Sequence, residues 1–408
     1  ILKVGLITIG NELLSGFTVD TNSSWIGQNL IEVGARVCWH LTVKDDANQI
    51  KIALDSIPKD CKSLIITGGL GPTHDDITQK TLYDYYRIKP VFDSEYWDLL
   101  NSRMKKIGRI LPEINKNQAI VPEKGKGKII PNSVGSARGI HIINGNLNIF
   151  AMPGVPKEMK SMMNNSVLPW LHDKTNNKVH VKTLRTTGIM ESSLAEKMND
   201  IIELSKDVEI AFLPQFTGVD IRIISADKKS IDKTKNKIYK CIGKYIFGTG
   251  SRTLEDVVGS MLIERNYTLS TAESCTGGLL GHRITNTSGS SKYYLGGVNS
   301  YSNQMKKDII NVDKSSLDKY GAVSKEVSIE MAKGVMKLLK SDISLSITGI
   351  AGPGGGSKNK PVGLVYITLI HNDKIINKEF TFFKDRLLNK KLSSQVALNM
   401  IRLHLLNE

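Results

Sequence analysis

The stretch Tyr267-Thr268-Leu269-Ser270-Thr271-Ala272-Glu273-Ser274-Cys275-Thr276-Gly277-Gly278-Leu279-Leu280-Gly281-His282-Arg283-Ile284 passes from β-leaning residues through a small polar turn into a helical pattern. Strand, turn and helix in that order form the unit of α/β sheets whose ligands gather at strand carboxyl ends. Ser274 and Cys275 place two nucleophile candidates on the turn. A helix starting near Leu279 offers unpaired N–H groups and a partial positive charge, which suit an oxyanion or a phosphate. Gly277 and Gly278 permit close approach to the backbone. An ordinary tight turn with a Ser or Thr cap uses the same residue types, so the surrounding chain has to decide.

Outward from this turn, residues 251–408 read as one α/β domain. A helix at Leu254–Arg265 precedes the turn, and Tyr293–Lys306 follows it. A helix over about Ser324–Lys340 leads to the strand Ile343–Thr348, which opens into Gly349-Ile350-Ala351-Gly352-Pro353-Gly354-Gly355-Gly356. A strand at Pro361–Leu369 and an amphipathic helix at Leu388–Leu406 close the domain. Serine is a weak nucleophile and needs a base. His282 lies in the same helix and His371 in a loop signal, so neither stands at a triad position. Lys306 is the better base, with Tyr301 five residues before it at a strand end to relay the proton or orient the amine. A lysine acts as base only when burial or a nearby charge lowers its pKa. Cys275 is the rival nucleophile and intrinsically the more reactive. Adjacent side chains point apart, so only one of the two faces a pocket.

The N-terminal segment, 1–171, alternates strand and helix signals as a βαβ-type sheet does. Val4–Ile9 and Ala35–Val43 are strands, and Asp20-Thr21-Asn22 caps a helix with Trp25, Ile26 and Leu30 on its apolar face. The short strand Ser63–Thr67 runs into Gly68-Gly69-Leu70-Gly71-Pro72-Thr73-His74-Asp75-Asp76-Ile77-Thr78. Three glycines at a strand's carboxyl end suit a phosphate cradle, and Asp75 and Asp76 suit a divalent metal. A glycine turn with acidic residues complementing a helix dipole uses the same pattern. The loop is neither a Walker loop nor GxGxxG. A strand at Leu147–Met152 ends in a rigid Pro/Gly turn placed to wall a pocket. The polar run His172–Lys178 reads as a linker, and 179–250 as a small α+β domain with a Lys-rich second helix.

Composition sets the outer bounds. With 408 residues, 40% hydrophobic and 23% charged, the chain is expected to be a globular protein of two or three domains. No apolar run approaches the roughly 18–20 residues of a membrane span and no signal peptide is visible, so a cytoplasmic location without membrane partners is expected. The four cysteines show no CxxC spacing and fit a reducing compartment. The charge of +15 is spread along the chain without a basic, aromatic-interleaved stripe, so nucleic acid is not the expected partner.

AESCTGG (272–278), NSYSNQMK (299–306), GAVSKEV (321–327) and ITGIAGPGGG (347–356) resemble the nicotinamide-nucleotide amidase domain often called PncC. GNELLSG (10–16), TGGLGPTHDDIT (67–78), PNSVGSARG (131–139) and MPGVPKEM (152–159) resemble the molybdopterin-binding-type domain joined to it in the CinA family. The resemblance covers nearly the whole chain. It implies a MogA/MoeA-like α/β sheet domain, a KH-like α+β middle module and a C-terminal α/β amidase domain, with a homodimeric assembly. It further implies a bifunctional enzyme of pyridine-nucleotide salvage. The C-terminal domain would convert nicotinamide mononucleotide to nicotinate mononucleotide and ammonia without a cofactor. Ser274 would be its nucleophile, and Tyr301 and Lys306 would manage the proton. Thr276, Gly277, Gly278, Asn303, Thr348, Gly349, Gly352 and Gly354 would bind substrate. Relatives often carry Asp at Gly354 or Gly355, which removes an acidic contact here. The N-terminal domain would split ADP-ribose into AMP and ribose 5-phosphate with a divalent metal. Gly68, Gly69, Gly71, Pro72, Thr73, Thr78, Asn11 and Asn22 would line that site, and Asp75, Asp76, Glu12 and Asp20 would hold the metal. His74 stands where relatives usually have Pro. The alternative for this domain is a non-catalytic pterin- or nucleotide-binding module in a competence- or DNA-damage-linked scaffold.

Overall fold

The computed structural model describes residues 1–175 and 179–408, and the chain divides into two compact units, Ile1–Val181 with Ala226–Lys228, and Lys182–Ser225 with Lys229–Glu408. The first contains strands β1 (Leu2–Ile9), β2 (Ala35–Val43), β3 (Ser63–Thr67), β4 (Pro90–Phe92), β5 (Ile120–Pro122), β6 (Gly127–Ile130), β7 (Gly139–Asn144) and β8 (Leu147–Met152). Six of these form one sheet in the order β2-β1-β3-β8-β7-β6. Its β2-β1-β3-β8 half is parallel and β7 and β6 return antiparallel. All of β3 is buried, as a strand covered on both faces must be. Side chains alternate between two cores: Ile7, Ile9 and Ile66 join Ile50 and Leu82 on one face, while Val4, Leu6 and Ile65 join Ile26 and Met159 on the other. Asp20 caps the helix Thr21–Glu32 by accepting from Ser23 N–H, as its sequence suggests. Of the expected linker, His172–Lys174 instead ends the helix Leu168–Lys174, and residues 176–178 lie outside the described residues.

The second unit begins with β9 (His180–Thr186), β10 (Glu209–Gln215), β11 (Gly218–Ser225) and β12 (Ile246–Thr249), a sheet in the order β10-β11-β9-β12. The helices Glu191–Glu203 and Lys228–Ile242 complete it, and Leu184, Leu194, Met198, Ile221 and Ile238 form its core. The lysine-rich helix buries Ile231, Thr234, Ile238 and Ile242 and leaves Lys228, Lys233 and Lys240 exposed on the other face. Strands β13 (Leu269–Glu273), β14 (Tyr294–Asn299), β15 (Ile343–Gly349), β16 (Leu364–His371) and β17 (Lys374–Thr381) make the last sheet, ordered β14-β13-β15-β16-β17.

In that sheet β13 lies between two parallel neighbours, β14 and β15, so its carboxyl end is the point where the chain crosses to both sides. Leu269, Leu345, Ile347 and Ile367 pack on the closing helix Arg386–Leu406. On the opposite face Ala272 packs with Val327, Met331 and Val335 of the helix Lys325–Leu339. Three elements of this last domain escape the sequence reading. Strand β17 is largely exposed and is held by its ladder with β16, so burial leaves no clean pattern in it. The helices Asn303–Ile310 and Lys314–Tyr320 are too short for a periodic signal, although Ser302 and Asp313 cap them. His371 ends β16 and is buried, not in a loop. No described helix is long and apolar enough to cross a membrane.

Candidate active site

Ser274 leaves the carboxyl end of β13, and its N–H donates to Ile347 O on β15 at 2.9 Å. The next residues tighten into a turn in which Gly277 N–H donates to Ser274 O, and Gly277 and Gly278 take φ of 57° and 88°. Such angles favour glycine. At Gly278 a Cβ would also lie 2.9 Å from Asn299 Nδ2. The helix Leu279–Thr285 follows, but its first amides are not free, contrary to the expectation from sequence. The buried Glu273 carboxylate accepts from Leu280 N–H at 3.0 Å and Gly281 N–H at 2.8 Å. An internal carboxylate at a helix start satisfies both orphan donors and the dipole. Among the described residues no group of another residue accepts from the N–H of Cys275 or Thr276, which follow Ser274.

Lys306 reaches Ser274 from the short helix that sequence reading did not resolve. Asn303–Ile310 turns Lys306 and Ile310, four residues apart, toward the sheet. Lys306 is 1% exposed, and its Nζ lies 3.0 Å from Ser274 Oγ, 2.7 Å from Ser300 O and 3.4 Å from Tyr301 O. Burial lowers its pKa to about 8. A neutral amine has two N–H groups and one lone pair. The two carbonyls take the N–H groups, which leaves the lone pair for the Ser274 hydroxyl proton.

Cys275 points into the core formed with Leu280, Ile347 and Ala351, where burial pushes its thiol up to about 12. Tyr301 stands two residues beyond β14 with 61% of its surface exposed, and its hydroxyl accepts from Arg386 Nη2 at 2.7 Å. Its backbone carbonyl, rather than its phenol, touches Lys306. Tyr301→Phe is accordingly expected to raise KM severalfold while leaving kcat nearly unchanged; steady-state kinetics check this, and a collapse of kcat would give the phenol the proton.

Arg386 also donates to Gly352 O, and the buried Asn389 donates to Ala351 O, so the closing helix anchors the Gly349–Gly356 loop. Thr348 spends its hydroxyl on Ala322 O, Gly354 and Asn303 are exposed, and Gly349 is half-buried. Thr276 Oγ1 and Ser300 Oγ are buried without a partner among the described residues. Lys390 brings Nζ within 3.7 Å of a Cβ built on Gly277. Sequence reading missed Glu273, Ser300, Arg386, Asn389 and Lys390, since four lie in helices or strands with no local signature and Ser300 acts through its carbonyl.

In the N-terminal unit the loop after β3 is close-packed. A Cβ on Gly68 would fall 2.0 Å from Ile9 O, and one on Gly69 2.2 Å from Thr78 Oγ1. Among the described residues Thr78 Oγ1 is buried and without a partner, as is Asn22 Oδ1, while Asn22 Nδ2 donates to Gly154 O at 2.8 Å. Asp76 accepts from Thr73 N–H and Oγ1, closing the turn over Gly71 and Pro72. A cavity of about 620 Å³ adjoins this loop, bounded by Pro72, Thr73, His74, Asp76, Tyr83 and Asn117.

Asp45, just past β2, is an acidic residue that sequence reading did not select. Its carboxylate accepts from Asn11 N–H at 2.9 Å, and its pKa is raised by burial and by Glu12, Asp75 and Asp76. Asp20 serves as a helix cap, with Oδ2 3.7 Å from His40 Nε2. Among the described residues the four selected carboxylates do not converge on one ligand shell.

Family models match the chain in three successive segments: a probable molybdopterin binding domain over residues 5–173, a damage-inducible protein CinA KH domain over 181–248 and a CinA C-terminal domain over 251–405. A putative competence-damage inducible protein of Caldicellulosiruptor saccharolyticus is 39% identical over 98% of this chain and 99% of its own length. A CinA-like protein of Salinibacter ruber is 38% identical over 98% and 99%. The crystal structure of a competence/damage inducible protein from Agrobacterium tumefaciens is 32% identical, covering 38% of this chain and 97% of that one, with a TM-score of 0.36. With a molybdopterin-binding-like domain, a KH domain and a CinA C-terminal domain in that order, this chain belongs to the CinA family.

Proposed function

We propose that the C-terminal domain hydrolyses nicotinamide mononucleotide to nicotinate mononucleotide and ammonia. The observation that carries this reading is the buried Lys306 amine 3.0 Å from Ser274 Oγ, with its pKa lowered to about 8. Ser274 Oγ attacks the carboxamide carbon as its proton passes to Lys306 Nζ. The tetrahedral oxyanion lies against the amides of Cys275 and Thr276. Lys306 returns the proton to the departing nitrogen, which leaves as ammonia. Water then attacks the nicotinoyl ester, giving its proton to Lys306, and Ser274 is regenerated. Arg386 and Lys390 at the mouth supply positive charge for the substrate phosphate. Ammonia release from nicotinamide mononucleotide by the full chain tests the reading; its absence overturns it.

For the N-terminal domain the proposal is metal-dependent hydrolysis of ADP-ribose to AMP and ribose 5-phosphate. Glu12, Asp75 and Asp76 lie near enough to Asp45 to raise its pKa, and oxygen donors suit a hard divalent cation, although among the described residues their donor atoms do not converge on one point. Those four carboxylates would hold it, and when bound it would supply neutralisation of diphosphate charge. Thr78 and Asn22 would offer the diphosphate their unpartnered oxygens, while the open sides of Gly68, Gly69 and Gly71 are filled by Ile9 O, Thr78 Oγ1 and Asp76. A second reading, a pterin- or nucleotide-binding module, is favoured by Asp20 being engaged as a helix cap and Asp76 in the turn with Thr73. In the presence of Mg²⁺ or Mn²⁺, ADP-ribose turnover is expected to fall at least about tenfold in Asp75→Ala/Asp76→Ala, since even the partners that support metal ligands cost about 10–100-fold when removed. Tight binding of ADP-ribose without turnover by the wild type would establish the second reading.

A further inference from the structure

The other end of the C-terminal sheet carries a cluster that the amidase reading does not use. His371 is the last residue of β16, His404 lies in the final turn of the closing helix, and Glu408 follows four residues on. That i,i+4 spacing brings His404 and Glu408 to one side of the helix end. His371 Nδ1 and His404 Nε2 are 2.9 Å apart, and Glu408 Oε1 is 2.8 Å from the first and 3.2 Å from the second. Both imidazoles are buried, at 3% and 5% exposure. Among the described residues this is the one group of three His, Cys, Asp or Glu side chains whose donor atoms converge.

We propose that His371, His404 and Glu408 form a binding site for one zinc-type divalent cation. Three lone-pair donors this close repel one another unless protons or a cation lie between them, and the two facing ring nitrogens can share only one proton between themselves. His404 Nδ1 is buried with no partner among the described residues, so the Nε2 edge carries the polar interactions of that ring. A single cation between the three donors satisfies them together. Zinc bound at about 2.0–2.1 Å to nitrogen and oxygen sets tetrahedral donors about 3.3 Å apart, a few tenths of an ångström wider than the present edges. Two imidazoles and one carboxylate match zinc, cobalt or nickel better than magnesium or calcium. With three protein ligands, water completes the set.

Its position makes the site structural. His371 pairs with Ile343 at the start of β15, whereas Glu273, beside the nucleophile, pairs with Ile347. Four residues of strand separate the two ends, about 13 Å. A cation here joins the end of β16 to the end of the closing helix, whose other end anchors the Gly349–Gly356 loop. Binding only to the folded chain raises stability by mass action.

The test is titration of the chelator-treated full chain with ZnCl₂, followed by calorimetry and by the Tm, with Co²⁺ as the coloured probe. The expected result is one equivalent bound with visible bands of tetrahedral Co²⁺, a rise in Tm, and affinity at least about tenfold weaker in Glu408→Gln, His371→Ala and His404→Ala. Glu408→Gln keeps its volume at a partly exposed position, so it reports even if the histidine variants fail to fold. Asp75→Ala/Asp76→Ala is expected to retain this uptake, which separates it from any metal in the N-terminal domain. Absence of uptake, or uptake and Tm shifts unchanged in Glu408→Gln, would overturn the proposal.

Discussion

Replacing Ser274 with alanine is expected to lower ammonia release from nicotinamide mononucleotide by at least about 10⁴-fold, the scale on which loss of a covalent nucleophile is felt. Cys275→Ala is expected to keep most of the activity. The two residues are neighbours in sequence and both are buried, so exposure does not separate them. Their surroundings do. Ser274 Oγ meets the Lys306 amine, whereas Cys275 packs among Leu280, Ile347 and Ala351. Burial pushes the thiol up to about 12, which keeps Cys275 protonated and a poor nucleophile near neutral pH. Single-turnover assays with both variants decide the matter. Full activity in Ser274→Ala together with loss in Cys275→Ala would reverse the assignment.

The second large effect belongs to Lys306. Only the neutral amine can take the Ser274 proton, so kcat/KM is expected to rise with pH through about 8 and level above it. Lys306→Met should cost about 10²–10⁴ in rate, the usual range for a lost general base. Lys306→Arg should do no better, because a guanidinium stays charged. A profile falling through pH 8 would make the ammonium the active form and sink the mechanism. Stability carries the same signature. The folded chain disfavours the charged lysine, and the unfolded chain titrates near 10.5. Between about 8 and 10.5 the unfolded state therefore holds more protons. The destabilising contribution is fully present below pH 8 and is relieved as pH rises across that window. Denaturant midpoints of wild type and Lys306→Met across pH 7–10 would display it.

Much of the architecture is written locally. The buried apolar run Val4–Ile9, the alternating apolar residues of Ile343–Thr348, and the caps Asp20, Thr253 and Ser324 mark strands and helices that the structure contains. Glycines in the 68–71 and 277–278 turns announce backbone that departs from regular elements. These signals are strong because they depend on residues within a few positions of one another. The reading of helix amides as a ready anion site failed for the opposite reason. Glu273 folds back onto Leu280 and Gly281, and nothing in the spelling of the turn says that its carboxylate faces inward. Tyr301 likewise keeps its place beside Lys306 in sequence, while its phenol is drawn toward Arg386, 85 residues away.

By itself the sequence determined the residue types of both sites, the order of the three domains and the strand–turn–helix that carries Ser274. Tertiary structure alone decided which chemistry those residues can do. Lys306 has the surroundings of the proposed base because the helix Asn303–Ile310 buries it beside two carbonyls, and Cys275 lies away from it because the adjacent turn sends it into the core. Asp45 joins the N-terminal carboxylates, and His371 meets His404, only when strand ends and helix ends far apart in the chain are brought to one edge. Protonation and ligation depend on burial and on separations of a few ångströms. The sequence specifies both, but only through the packing of the whole domain.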